Sequence, residues 1–114
     1  MELILWHNPR CTKSRQTLAL LEERGVTLRI RKYLEDAPSL AEIEAAQAAL
    51  GVSAIEMMRP KEAVFKEMGL SKADDDATLR AAMAEQPKLI ERPILFAGDR
   101  AAIGRPPEQV LSLL

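Results

Sequence analysis

The chain has a single cysteine and a single histidine, and both fall within the five residues from His7 to Cys11. One cysteine can form no disulfide within the chain and no zinc site built from cysteines alone, which fits a reducing, cytoplasmic setting. Charge of one sign is also scarce. Sixteen Lys and Arg stand against seventeen Asp and Glu, a net charge of −1, so overall attraction to nucleic acid or to an anionic membrane is excluded as a driving force. The opening apolar run, MELILW, is too short to span a bilayer and has neither the basic leader nor the cleavage site of a secretory signal. Internal repeats, flexible linkers and low-complexity segments are missing. What is there is 114 residues of 47% hydrophobic composition, enough for one core and one domain.

The apolar pattern implies an α/β chain. Leu3 to Trp6 reads as a buried strand that stops at His7-Asn8-Pro9. A helix follows from about Cys11, with Cys11, Ser14, Leu18 and Leu21 on one face and Gly25 as its stop signal. Val26 to Tyr33 alternates as a second strand, completing a βαβ unit with parallel strands. Ser39-Leu40-Ala41-Glu42 and Ser53-Ala54-Ile55-Glu56 each match the S-x-x-E capping box and mark two helix starts on either side of Gly51. EAVFKEMG and, after Asp74-Asp75-Asp76, ATLRAAMAEQ continue the helical pattern. Ile94 to Ala97, Gly98-Asp99 and Arg100 to Ile103 predict a tight hairpin, and Pro106-Pro107 opens a last helix over Glu108 to Leu114. The order βαβ, helices, ββα gives a thioredoxin-like mixed four-stranded sheet, one domain over 1–114 with a helical insertion at about 38–90.

The chemistry gathers at NPRCTKSRQTL. A thiol at a helix N-terminus, beside Arg10, Lys13 and Arg15, is expected to ionise readily, because free backbone N–H groups and cations favour thiolate. Those N–H groups, with the hydroxyls of Thr12 and Ser14, could also hold an oxyanion. His7 lies across a strand-to-loop junction from Cys11, so spacing alone leaves their contact open; if close, a protonated imidazole would depress the thiol further. A second pattern is spread along the chain. Arg59-Pro60, Arg92-Pro93 and Arg105-Pro106 are three Arg-Pro pairs where chance gives fewer than one. Proline pushes the preceding residue out of the helical region, so each arginine sits at an element boundary. Three converging guanidinium forks would suit a multiply charged tetrahedral anion; scattered on the surface, they would make no site.

HNPRCTKSRQTL, ERPI and IGRPPEQVL together resemble the arsenate reductase family that is coupled to glutathione and glutaredoxin, and in particular its short bacterial branch. The resemblance covers essentially the whole chain and implies a set of roles. Cys11 would be the nucleophile that forms a thiol–arsenate adduct, His7 would help to keep its thiolate, and Ser14 would hydrogen-bond near the sulfur. Arg59, Arg92 and Arg105 would bind the anion, with Thr12 beside them, and Arg92-Pro93 would be a cis peptide. Because the chain supplies no second thiol, the resolving thiol must be external. The resemblance names glutathione as co-substrate and glutaredoxin as the protein that removes it, releasing arsenite. No bound cofactor or metal, no nucleic acid or membrane partner, and a monomer are expected. Three other readings use the same features: a related oxidoreductase for another oxyanion or a mixed disulfide, a redox-responsive regulator that binds RNA polymerase, and a monothiol glutaredoxin-like module. The regulator typically carries Cys-x-x-Cys, where this chain has Ser14.

Overall fold

The computed structural model describes residues 2–114, so Met1 of the opening run lies outside the described residues. The chain forms two compact units, residues 1–36 with 92–114, and residues 37–91. The first contains a four-stranded sheet of order β2-β1-β3-β4, built from β1 (Leu3–Trp6), β2 (Leu28–Arg31), β3 (Ile94–Ala97) and β4 (Arg100–Ile103). β1 runs parallel to β2 and antiparallel to β3, and β3 and β4 are antiparallel. This is the mixed sheet that the sequence predicts.

Register decides which side chains meet. Leu3 pairs with Leu28 and Ala97, Leu5 pairs with Leu95, and Leu95 pairs with Ala102, so successive residues alternate faces and these side chains share one of them. Helix α1 (Thr12–Glu23) and a 3-10 helix at Pro107–Leu113 cover that face, and Leu21, Val110 and Leu113 complete its core. Trp6 and Phe96 lie on the opposite face with ring centroids 4.7 Å apart.

Two expectations are corrected here. Regular pairing of β2 covers Leu28–Arg31 and not Val26 to Tyr33, because β2 is an edge strand paired with the four residues of β1; Ile30 remains 44% exposed. The last helix is 3-10 and not α. Its buried residues, Pro107, Val110 and Leu113, recur every three positions, the spacing that lines up along one side of a 3-10 helix.

The second unit holds α2 (Leu40–Leu50), α3 (Ala63–Glu67) and α4 (Asp76–Glu85). The capping box at Ser39 forms as predicted, with Ser39 N–H donating to Glu42 and Glu42 N–H to the Ser39 hydroxyl, and Gly51 ends α2 at a φ of 68°. The box at Ser53 forms too, but it starts only a 3-10 turn, Ala54–Met57. Met58 is extended and bridges Ile90, and Pro60 disfavours helix at the residue before it. Gln47 of α2 donates to Asp76 at 2.9 Å and accepts from Arg80 at 2.8 Å, tying α2 to α4.

Candidate active site

The cysteine loop is built by asparagine and proline. The Asn8 carbonyl accepts from Cys11 N–H at 3.0 Å, and its side-chain oxygen accepts from Arg10 N–H at 3.0 Å. Asn followed by Pro suits this nested turn, since proline presets φ and asparagine bonds the backbone two residues on. The turn places Cys11 as N-cap of α1, with φ −92° and ψ 125°, and the Cys11 carbonyl accepts the first helical bond from Arg15.

Below the loop lies a buried polar relay. Ser14 is fully buried; its hydroxyl is 2.6 Å from His7 Nδ1 and accepts from Asn8 N–H at 3.0 Å. A neutral ring with Nδ1 as acceptor satisfies all three groups, because the Ser14 hydroxyl then donates to His7 while accepting from Asn8. His7 is held below its ordinary pKa by burial, then by the nearby charges of Lys32 and Arg15. It also lines a cavity of about 290 Å³ together with Arg10, Lys32 and Glu35. The contact that spacing left open runs through Ser14: burial and the nearby charges favour the neutral ring of His7, and the ring reaches the cysteine loop by way of the Ser14 hydroxyl.

The thiol is half-buried and free. Burial raises its pKa, but the backbone N–H of Ser14 and the guanidinium groups of Arg92 and Arg105 outweigh this, and the net direction is down. Cys11 makes no side-chain capping hydrogen bond of regular geometry, so the Ser14 amide acts as a nearby donor dipole aimed at the developing charge. Arg105 is placed more closely. Its Nε donates to the Arg92 carbonyl at 2.8 Å, and its Nη2 reaches Cys11 Sγ at 3.4 Å. Residues 92 and 105 belong to the approaches of β3 and of the last 3-10 helix, so the sheet brings both to the cysteine from 80 or more positions away in sequence.

The cations next to Cys11 do something else. Arg10 and Lys13 are exposed and are not among the groups that shift the thiol. Arg15 folds back onto the loop, donating to the Pro9 carbonyl at 3.0 Å and to Thr12 Oγ1 at 3.3 Å. Thr12 is thus at the helix start as expected, with its hydroxyl engaged by Arg15. Arg59 lies in the second unit, where its guanidinium pairs with Glu91 at 3.0 Å and Glu62 at 3.7 Å. Arg92-Pro93 is cis, as the resemblance implies, and so is Arg105-Pro106. Sequence reasoning passed over Asn8, Thr17 and Gly104; of these only the Asn-Pro turn carried a readable signal. Among the described residues no group of His, Cys, Asp and Glu could hold a metal ion, and no helix is long and apolar enough to cross a membrane.

A thioredoxin-like sheet that brings one N-capping cysteine together with two arginines is the arrangement of a thiol-based oxidoreductase. Comparison with known proteins places the chain more narrowly. The ArsC family model matches residues 6–113, and the chain belongs to that family. It is 47% identical to an arsenate reductase of Neisseria meningitidis over 99% of this chain and 98% of that protein. It is 33% identical to an arsenate reductase of Escherichia coli, over 98% of this chain and 80% of that protein. Among solved structures, an arsenate reductase from Vibrio cholerae superposes with a TM-score of 0.95 at 49% identity, covering 100% of this chain and 98% of that one.

Proposed function

We propose that the protein reduces arsenate to arsenite through a thiol–arsenate adduct on Cys11, resolved by glutathione and glutaredoxin. The observation that carries this reading is the anchored guanidinium of Arg105, 3.4 Å from Cys11 Sγ, with Arg92 beside it. Two cations that favour the thiolate are equally suited to a tetrahedral oxyanion drawn up to it. The Cys11 thiolate attacks arsenic; a sulfur–arsenic bond forms, an arsenic–oxygen bond breaks, and that oxygen leaves as water after taking two protons. Arsenic is still pentavalent at this stage.

The two electrons come from two external thiols. Glutathione displaces a further oxygen as water, and the glutaredoxin thiolate then attacks the glutathione sulfur. A glutathione–glutaredoxin disulfide leaves, the electron pair stays on arsenic, and hydrolysis frees arsenite and the Cys11 thiol. The sum is arsenate plus two thiols giving arsenite, one disulfide and one water. Arg59 enters this reading through the sequence alone, as the third Arg-Pro arginine of the family pattern.

The test is NADPH oxidation in a coupled system with glutathione reductase, glutathione and glutaredoxin, run across several oxyanions. Arsenate should support turnover that requires both thiols and is abolished in Cys11→Ser, because an alcohol is barely ionised at neutral pH. Turnover with another oxyanion or a mixed disulfide but none with arsenate would keep the site and replace the substrate.

A further inference from the structure

We infer that Gly104 and Thr17 are positioning residues that set the distance between the Arg105 guanidinium and the Cys11 sulfur. Gly104 joins β4 to Arg105 and is buried. Its N–H donates to the Pro93 carbonyl at 2.9 Å, which holds the segment before Arg105 to the segment after Arg92. A methyl group on Gly104 would lie 2.5 Å from Thr17 Oγ1, 2.8 Å from Pro93 Cγ and 3.2 Å from Thr17 Cγ2. The first two distances are shorter than any real carbon contact allows. Gly104 is also the one glycine of five outside the positive-φ set. Its backbone is open to an L residue, and what it supplies is closeness rather than conformational freedom.

Thr17 cannot easily step aside. It is fully buried, and its Oγ1 donates to the Lys13 carbonyl at 2.8 Å, one turn back along α1. The second turn of α1, tied by that bond to the first turn and so to the cap at Cys11, therefore rests directly on the backbone that carries Arg105. From there the path is short: Gly104 to Arg105, Arg105 Nε to the Arg92 carbonyl, and Arg105 Nη2 to Cys11 Sγ. Any added atom between Thr17 and Gly104 moves the helix cap away from the guanidinium. A charge-assisted contact already at 3.4 Å weakens steeply with such a shift.

This inference deepens the proposed function, since it concerns how the same anion-binding arginine is placed, but its readout is Cys11 ionisation and needs no arsenate. Gly104→Ala should raise the pH midpoint of Cys11 alkylation by about half a unit to one unit, a three- to tenfold loss of thiolate below the midpoint. Thr17→Ala alone should move the midpoint little. Combined with Gly104→Ala, it removes two of the three close contacts and should return the midpoint most of the way to wild type. That rescue separates positioning from general damage. A folded Gly104→Ala protein with an unchanged midpoint overturns the inference, as does a double variant no better than Gly104→Ala alone. If Gly104→Ala by itself does not fold, the double variant should fold with a near-normal midpoint, and its failure to fold would equally overturn it. Loss of arsenate turnover without these midpoint shifts would count against the inference and leave the proposed function standing; the shifts without arsenate turnover would do the reverse.

Discussion

Replacing Ser14 with alanine separates two things that one residue does. The hydroxyl is the centre of the buried relay, 2.6 Å from His7 Nδ1 and 3.0 Å from the Asn8 nitrogen; the backbone N–H is one of the groups, with Arg92 and Arg105, that lower the Cys11 pKa. Alanine removes the first and keeps the second. Each buried polar group left without its partner costs about 1–3 kcal/mol. Asn8 N–H and His7 Nδ1 are both stranded, but His7 borders a cavity through which water can partly compensate, so the loss should total roughly 2–4 kcal/mol. With a urea slope of about 2 kcal/mol/M, the unfolding midpoint should fall by about 1–2 M. Trp6, the only tryptophan and a buried one, reports on the first unit by fluorescence. The alkylation midpoint of Cys11, measured on the same protein, should move by less than about 0.3 unit, since the amide and both guanidinium groups remain. A stability loss under about 1 kcal/mol would refute the relay. A midpoint rise of more than about one unit would show that the hydroxyl, and not the amide, stabilises the thiolate.

Other outcomes follow from the same geometry. Arg105→Lys and Arg92→Lys should each raise the Cys11 alkylation midpoint, because a point charge on a flexible stem cannot keep the fork geometry, whereas Arg10→Ala and Lys13→Ala should leave it unchanged; the reverse order would return the effect to the neighbouring cations. Because His7 is held below its ordinary value of 6.5, the folded state favours the neutral ring, so its contribution to stability is complete above that value and is lost as pH falls through the folded-state value. Urea midpoints taken from pH 7.5 to 5 should show this decline, and His7→Gln should flatten that part of it. Arg59→Lys tests the third Arg-Pro arginine: arsenate should protect Cys11 from alkylation less well in this variant than in wild type, and equal protection would remove Arg59 from the site.

Local signals were legible wherever the chain satisfies its own backbone. The hairpin around Gly98-Asp99, the cap at Ser39 and the stop at Gly51 depend on residues within a few positions of each other, and they appear where the sequence places them. Ser53 carries the same capping signal as Ser39, yet the helix it starts lasts one turn, because pairing with Ile90 decides what Met58 does. The site divides in the same way. Cys11 at a helix start is a local fact, and the Arg-Pro pattern pointed to Arg92 and Arg105. Which cations touch the sulfur depends on sheet register, and it is the distant pair rather than the adjacent trio. His7 was left open for a related reason: four residues separate it from Cys11, and it is the turn at Asn8 that sends its ring to Ser14. Gly104 left no readable trace, since its role is to lack an atom where α1 passes.

The sheet-bearing unit is discontinuous: residues 1–36 hold the cysteine, and residues 92–114 hold β3, β4 and both arginines. Chains are made from the N-terminus, and compact units fold as they emerge. The 55 consecutive residues of the second unit can therefore be complete while β1 still lacks its antiparallel neighbour. Until Arg92 and Arg105 leave the ribosome, Cys11 has neither guanidinium near it. The two guanidinium contributions to the thiol therefore arrive with the last stretch of chain to be made, together with β3 and β4.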